Sequence, residues 1–99
     1  MKAAFENGSP VELCKVSTIA DGAAVKLAGE RTYELLKDVI DEIVTVSDYE
    51  LMDAFLVLLE KHKLIAENAG ILSLAGLKKI KEKNKKVVSV ISGGNIDVL

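Results

Sequence analysis

The sequence predicts an α/β fold in which helices flank an incomplete parallel sheet. The first observation is a helical pattern that begins at Ser47 and places large apolar residues on one face. The second is a pair of short stretches rich in β-branched residues, EIVTVS (42–47) and Val87–Ile91. The third is the predicted order of elements, which is helix, loop, helix, strand, helix, helix, strand. Two strands do not make a stable sheet by themselves, so residues 1–99 are interpreted as one partial domain.

The first half of the chain contains two predicted helices and a turn. MKAAFENG (1–8) is typical of a helix end, because Asn7-Gly8 is a common stop signal. A loop from Ser9 follows, with an Asp21-Gly22 turn near its centre. After Gly29 the apolar residues recur at helical spacing, and EIVTVS then predicts a short strand.

The second half predicts two helices and a final strand. Ser47 and Glu50 form a capping box, which is followed on one helix face by Leu51, Phe55, Leu58 and Leu59. A further helix is predicted over 67–81, and one of its faces carries only small residues: Ala66, Ala69, Gly70, Ser73 and Gly76. Such a face lets the helix backbone approach a neighbour closely. The nearly unbroken apolar run Val87–Ile91 predicts a central strand covered on both faces.

Composition excludes several classes of function. The net charge is −2, and the one lysine-rich run (78–86) has no aromatic side chain for stacking on bases, so no nucleic-acid partner is predicted. The only cysteine is Cys14, which fits a reducing, cytoplasmic location, and no apolar run is long enough for a membrane span. Cys14 and the single histidine, His62, are too few for a zinc site or a serine hydrolase, so no metal is predicted.

Three polar turns are candidates for a binding site: Thr18–Gly22, Glu67–Gly70 and Ser92–Asn95. The last follows a predicted strand, and open α/β sheets bind ligands at the carboxyl ends of their strands. Each turn also has a purely structural interpretation, because Asp-Gly and Ser-Gly-Gly-Asn are common turn sequences and a first-turn glutamate favours the helix dipole.

In combination, the three turns resemble those of the threonine dehydratases (threonine ammonia-lyases) and the related serine racemases. The stretches that carry the resemblance are STIADG (17–22), the region around Glu67, and VVSVISGGNID (87–97), and the likeness extends from about Met1 to Asp97. These enzymes use pyridoxal phosphate and have the tryptophan-synthase-β-like fold, also called fold-type II. The resemblance implies that this chain is the C-terminal portion of such a catalytic domain.

The resemblance also implies roles for individual residues. Ser92 would hydrogen-bond the pyridine nitrogen of the cofactor, with Gly93 beside it in the same turn. Asp21 and Gly22 would line the edge of the cofactor ring, and Glu67 would be a carboxylate beside the pocket. Asn68 departs from the family pattern, in which a small residue or proline follows the glutamate.

Two parts of the family's machinery are not found in this sequence. The lysine that bonds the cofactor lies in a Ser-x-Lys-x-Arg-Gly-type motif, and none of the lysines here has that context. The glycine-rich loop that grips the cofactor phosphate is also not found. No catalytic residue is therefore predicted in the chain, which is expected to be inactive alone.

The intact enzyme is predicted to convert L-threonine to 2-oxobutanoate and ammonia as a homo-oligomer, with a place in isoleucine biosynthesis. Serine racemase or serine dehydratase is the nearest alternative. A small non-enzymatic, ACT-like module that binds an amino acid is another, and it would need strands in βαββαβ order.

Overall fold

The computed structural model describes residues 1–97, and the chain divides into two compact units. The first unit comprises Met1–Ser17 and Ala24–Val44, and the second comprises Thr18–Ala23 and the residues from Thr45 onward. The helices are short, and across residues 1–97 none is long and apolar enough to cross a membrane.

The first unit contains two helices, α1 (Lys2–Asn7) and α2 (Glu30–Leu36). As predicted, α1 ends at a glycine: Gly8 has a φ of 78°, a left-handed conformation that costs glycine little. The rings of Phe5 and Tyr33 meet edge to face, with centroids 5.5 Å apart. This contact gives the first unit its main aromatic packing.

In the second unit, α3 spans Asp48–Val57 and continues into a π-helical turn, Leu58–His62. The predicted capping box is confirmed. The backbone N–H of Glu50 donates to Ser47 Oγ over 3.3 Å, and the N–H of Ser47 donates to the Glu50 carboxylate over 2.7 Å. These two bonds satisfy backbone donors that would otherwise have no partner in the first turn.

The core of the second unit forms on the predicted face of α3. Leu51 and Leu58 are almost completely buried and Phe55 packs against the core, but Leu59 is exposed, so the prediction that it shares this face is wrong. The other buried residues are Ala54, also in α3, and four residues from other parts of the chain: Ala20, Ala66, Ile71 and Ala75. Aliphatic side chains therefore make up this buried core.

The prediction of one helix over 67–81 is wrong in its continuity. The segment contains a 3₁₀ turn (Ala69–Ile71), the short helix α4 (Leu72–Gly76) and a second 3₁₀ turn (Leu77–Lys79). The predicted close approach does occur, because a Cβ built on Gly70 would overlap the carbonyl oxygen of Ser92. The backbone of Ser92 thus packs against Gly70 within the 3₁₀ turn that precedes α4.

The predicted sheet is not confirmed, because residues 1–97 contain no β-strand. A strand exists through its ladder of hydrogen bonds to a neighbour, and neither 42–47 nor 87–91 has such a neighbour among the described residues. The prediction that both faces of Val87–Ile91 are covered is wrong, since Val88 is 90% exposed. The same finding leaves the ACT-like arrangement, which needs several strands, without support.

One side of 87–91 is held by hydroxyl groups instead. Ser73, in α4, donates from Oγ to the carbonyl oxygen of Val90 over 2.5 Å, and it accepts a hydrogen bond from Ser89 Oγ over 2.9 Å. Side-chain bonds from a helix therefore place the segment that leads to Ser92.

Candidate functional site

The first of the three predicted turns is a single 3₁₀ turn, Asp21–Ala23, next to a buried residue. Ala20 is buried in the core of the second unit, and the N–H of Ala23 donates to its carbonyl oxygen over 2.9 Å. Asp21 Oδ1 accepts from the N–H of Gly22 over 2.8 Å. The Asp21-Gly22 turn is therefore fixed to the core by its neighbour and closed by its own carboxylate.

The second and third turns are joined by two backbone hydrogen bonds. The N–H of Ser92 donates to the carbonyl oxygen of Gly70 over 3.2 Å, and the N–H of Glu67 donates to that of Gly93 over 3.3 Å. Gly93 has a φ of 75°, and a Cβ there would overlap the Glu67 carboxyl group. The left-handed conformation thus favours glycine at 93, and a Cβ there would also force the Glu67 side chain to move.

The first turn meets the second at Glu67 and Ala69, and the Glu67 side chain also lies against Gly93 of the third turn. A Cβ built on Gly22 would lie 3.1 Å from Ala69 Cβ and 3.8 Å from Glu67 Oε1. The structure therefore brings Asp21, Gly22, Glu67, Ser92 and Gly93 into one neighbourhood, although they come from three distant stretches of sequence. Glu67 is the side chain that borders both of the other turns.

A cavity of about 380 Å³ opens beside these turns. That size falls within the usual range for small-molecule sites, which is roughly 300–1,000 Å³. Of the predicted site residues, Asp21 and Glu67 line it, whereas Gly22, Ser92 and Gly93 belong to the adjoining turns. The complete lining is Thr18, Ile19, Asp21, Glu67, Asn68, Asn95, Ile96 and Asp97.

A second, more apolar cavity of about 480 Å³ adjoins the first. It is lined by side chains of α3, including Met52, Phe55 and Leu56. Ile19, Asn68, Ile96 and Asp97 line both cavities. The combination of an apolar wall with a few converging polar groups is typical of small-molecule sites.

The polar cavity suits a group that donates hydrogen bonds or carries positive charge. Its lining has three carboxylates, from Asp21, Glu67 and Asp97, and no lysine or arginine. Such a wall would repel a phosphate group but can accept hydrogen bonds from an amine, a hydroxyl or a protonated ring nitrogen. These residues therefore fit the ring end of a cofactor better than its phosphate end.

Ser92 has a free hydroxyl group at the edge of this neighbourhood. Its side chain is exposed, and within residues 1–97 no hydrogen bond engages its Oγ. Gly94, two residues further on, would have open space around a Cβ, so close packing does not explain that glycine. The serine hydroxyl and the space near Gly94 are thus available to a bound molecule.

Sequence reasoning missed Asp48 completely. This carboxylate accepts from Thr18 Oγ1 over 2.5 Å and from the N–H of Ile19 over 3.3 Å, which attaches the first turn to α3. In the sequence Asp48 is one more acidic residue in the first turn of a helix, a position with an adequate local explanation. No sequence signal indicates its long-range contact.

Turns that bring polar groups together beside a cavity with an apolar wall are typical of small-molecule and cofactor sites. Residues 1–93 match the family described as pyridoxal-phosphate dependent enzyme, and the chain belongs to this family.

The relatives within the family are amino-acid enzymes. The chain is 54% identical to the L-threonine ammonia-lyase of Thermotoga maritima over 82 residues, which are 82% of this chain and 20% of the relative. It is 41% identical to the serine racemase of Schizosaccharomyces pombe over 96 residues, which are 95% of this chain and 30% of the relative. The chain thus spans less than a third of the length of either protein.

The fold agrees with this membership. The processed form of threonine deaminase isoform 2 from Solanum lycopersicum superimposes with a TM-score of 0.86 and 32% sequence identity. The match covers 97% of this chain and 29% of the tomato chain. The backbone of this chain therefore has the fold of the corresponding part of a fold-type II pyridoxal-phosphate enzyme.

Proposed function

We propose that this chain forms part of the catalytic domain of a threonine ammonia-lyase, which converts L-threonine to 2-oxobutanoate and ammonia. The observation that carries the proposal is the convergence of the turns at 21–22, 67–70 and 92–93 around Glu67. The identity of 54% to an L-threonine ammonia-lyase supports threonine as the substrate.

Ser92, Gly93, Asp21, Gly22 and Glu67 are proposed to hold the cofactor ring. Bound pyridoxal phosphate supplies an electron sink, which makes the α-proton of an amino acid acidic and allows its β-hydroxyl group to leave. The part of this chain in that chemistry is to bind and orient the ring. The carboxylate-rich lining favours hydrogen-bond donors at the ring end, as described above.

Ser92 has the most specific proposed role, which is to hydrogen-bond the ring nitrogen. A neutral hydroxyl group stabilises a proton on that nitrogen less than a carboxylate would, so the ring is a milder electron sink. That strength suits elimination of a β-hydroxyl group, because the leaving group departs soon after the α-proton. The exposed, unengaged Oγ of Ser92 is available for this bond.

The backbone around Ser92 is proposed to be a rigid support for its hydroxyl group. The Ser92 N–H binds the carbonyl oxygen of Gly70, and the left-handed Gly93 packs against Glu67. Neither interaction uses the serine side chain. The hydroxyl can therefore serve the cofactor without a change in the backbone.

A ligand titration of the chain tests the proposed ring site. Pyridoxine 5′-phosphate is the appropriate probe, because it has the ring and the phosphate but no aldehyde that could condense with surface lysines. We expect its addition to shift the NMR amide signals of Gly22, Glu67, Ser92 and Gly93. Ser92→Ala should weaken binding roughly five- to tenfold, the usual effect of one hydrogen bond.

Ser17→Ala is the matched control for Ser92→Ala, because Ser17 is also exposed and lies outside the predicted site. This variant should bind the probe as the unchanged chain does. Shifts confined to residues away from the three turns would contradict the assignment of the site.

Turnover tests the proposed reaction. The 99-residue chain with pyridoxal phosphate should form no 2-oxobutanoate from L-threonine, since none of its lysines lies in the family's cofactor-binding motif. A chimera in which the chain replaces the 82 matched residues of the Thermotoga maritima enzyme should bind pyridoxal phosphate and turn over L-threonine. Turnover by the chain alone, or a chimera that binds the cofactor without converting threonine, would count against the proposal.

Serine racemase is the second candidate, and the identity of 41% to the Schizosaccharomyces pombe enzyme favours it. The same chimera separates the two activities when it is given L-serine. Formation of D-serine that depends on residues of this chain would favour the racemase, whereas deamination of threonine favours the ammonia-lyase.

The cellular setting is also proposed. The lone cysteine, Cys14, is exposed and free, which suits a reducing compartment such as the cytoplasm. The exposed apolar side chains of 87–91 favour a homo-oligomer, which light scattering of the purified chain would reveal. A place in isoleucine biosynthesis rests on the resemblance to the threonine dehydratases and would follow from growth complementation of an isoleucine auxotroph.

A further inference from the structure

Residues 18–23 belong to a different compact unit from the residues on either side of them. The flanking segments Met1–Ser17 and Ala24–Val44 lie in the first unit, whereas these six residues lie in the second. A short excursion of this kind needs specific attachments, because fixing each backbone residue has an entropic cost. Burial of Ala20 in the core supplies one attachment, and it lies just before the Asp21-Gly22 turn.

Two hydrogen bonds between side chains and the backbone of Ile19 supply the other attachments. Its backbone N–H donates to Asp48 Oδ2 over 3.3 Å, and its carbonyl oxygen accepts from Asn68 Nδ2 over 3.1 Å. Side chains from two distant parts of the sequence thus bind both polar backbone groups of one residue. Local turn geometry accounts for neither bond, since the partners lie 29 and 49 positions away.

Asp48 is well placed to hold this segment. It is the first residue of α3, directly after the capping residue Ser47 and three positions before the buried Leu51. Its second carboxylate oxygen accepts from Thr18 Oγ1 over 2.5 Å, and Thr18 Oγ1 in turn accepts from the N–H of Ala20 over 3.2 Å. One carboxylate therefore orders three consecutive residues ahead of the turn.

Asn68 connects the same segment to the second turn. It follows Glu67 directly, so the bond from its amide to Ile19 joins the 18–22 segment to the 67–70 turn. Asn68 also lines both cavities. Glycine, alanine or proline at 68 could not make this bond, because none of them has a side-chain donor.

We propose that Asp48 and Asn68 are positioning residues that bind Ile19 from two elements and thereby hold the Asp21-Gly22 turn beside Glu67. The inference rests on the proposed function only in that the held turn borders the cofactor ring. Asp48 is not among the residues that line the two cavities, whereas Asn68 lines both, and its proposed role is the hydrogen bond to Ile19 and not a bond to the cofactor. Both residues act through the backbone of residues 18–22.

Amide hydrogen exchange of the chain tests the attachment without any ligand. Asp48→Asn leaves one side-chain oxygen to accept the two hydrogen bonds from Thr18 and Ile19. Asn68→Asp is isosteric but removes the amide group that donates to the Ile19 carbonyl oxygen. In Asp48→Asn we expect the Ile19 N–H, which loses its acceptor, to exchange about tenfold faster, the usual effect of one lost hydrogen bond. In Asn68→Asp, which releases the Ile19 carbonyl oxygen, the N–H groups of Ile19 and Ala23 should also exchange faster, because the segment that carries them is less firmly held. Thr18→Val should have a similar effect on Ala20.

Two control variants separate local from global effects. Asp53→Asn changes an exposed residue of the same helix, and Asn7→Asp removes an amide donor that serves only Ser9 in the first unit. Both should leave exchange at Ile19 within about twofold. The amide of the buried Leu58 reports whether any variant has loosened the whole unit.

Titration with pyridoxine 5′-phosphate then tests the positioning role. In Asp48→Asn and Asn68→Asp, the probe-induced shift at Gly22 should fall at least threefold, whereas the shift at Ser92 should persist. A merely structural role would reduce both shifts together with the protection of Leu58. Exchange at Ile19 that stays unchanged in both variants would overturn the attachment.

The remaining outcomes separate this inference from the proposed function. Faster exchange at Ile19 with an unaltered probe shift at Gly22 would overturn positioning but leave the cofactor site intact. If the unchanged chain shows no probe shift at any of the three turns, the cofactor site is refuted. In that case the exchange rates of Ile19 and Ala23 still decide whether Asp48 and Asn68 hold the turn.

Discussion

The second unit buries a continuous aliphatic core, whereas the first unit, among its described residues, fully buries only the apolar residues Ala4 and Tyr33. All five predicted site residues lie in the second unit, and Ala20, directly before Asp21, is part of its core. A binding site needs its groups held in place, and a packed core provides that rigidity. The comparison indicates that the stability of the candidate site depends on the second unit's own packing.

The largest expected difference between the units comes from truncating a core residue. Ile71 is 0% exposed, so Ile71→Ala should lower the free energy of unfolding by about 2–5 kcal/mol. Leu35→Ala, in the first unit, removes a side chain that is 67% exposed and should change stability by less than about 0.5 kcal/mol. Urea denaturation followed by circular dichroism measures both, and similar losses would contradict the comparison.

A smaller effect is expected where two backbones touch in the second unit. Gly70→Ala would drive a methyl group into the carbonyl of Ser92, and we expect a loss of about 1–3 kcal/mol. Gly94→Ala is the matched control, because a Cβ at 94 meets no atom within 4 Å. The control should be neutral, and equal losses in the two variants would mean that Gly70 is not specifically packed.

The next prediction concerns the start of α3, the helix that carries Asp48 and the buried Leu51. Ser47→Ala removes the side chain that caps the N–H of Glu50, and it should cost about 1 kcal/mol. Ser9→Ala in the first unit removes only a bond to Asn7 and should have a smaller effect. The unfolding midpoints of the two variants in urea measure the difference.

The smallest effects are electrostatic and appear as pH dependence. The hydrogen bond from Lys79, and then that from the Ser47 N–H, lower the pKa of Glu50 from 4.5 to about 2. Because the folded pKa lies below the unfolded value, this stabilisation is present above about pH 4.5 and is lost as the pH falls toward 2. In Lys79→Gln, the urea midpoint of unfolding should therefore fall less steeply as the pH is lowered from 4.5 toward 2.

The first unit offers an opposite case in Lys37. Its hydrogen bond to Glu34, which spans a single turn of the chain, raises the pKa of Lys37 above 10.5. Stability from a raised pKa is present below the unfolded pKa and is lost as the pH rises through the folded pKa. Because the pair is solvent-exposed and local, Lys37→Gln should give the least change of all, seen only at alkaline pH.

The parts of the fold that could be predicted from sequence are those decided locally. The capping box of Ser47 and Glu50, the apolar face from Leu51 to Leu58, and the glycine stop after α1 all depend on residues a few positions apart. The unpaired state of 42–47 and 87–91 could not be predicted, because propensity reports what a strand prefers and not whether a neighbour is present.

The candidate site shows the same division. The sequence pattern indicated the three turns, and the structure brings them together, but their roles toward a cofactor stay proposals. Asp48 and the bond from Asn68 to Ile19 were not predicted, because each contact joins residues about 30 or more positions apart. The close approach of Gly70 could be predicted only as a need for small residues, without its partner Ser92.

The way in which position 92 is anchored has an evolutionary consequence. Its attachment to Gly70 uses the main-chain N–H alone, and the side chain points to no protein partner among the described residues. A residue of another chemical type could therefore replace serine there while the surrounding scaffold kept its shape. Position 92 is thus a site where descendants of one ancestral framework could acquire different reactivities by single substitutions.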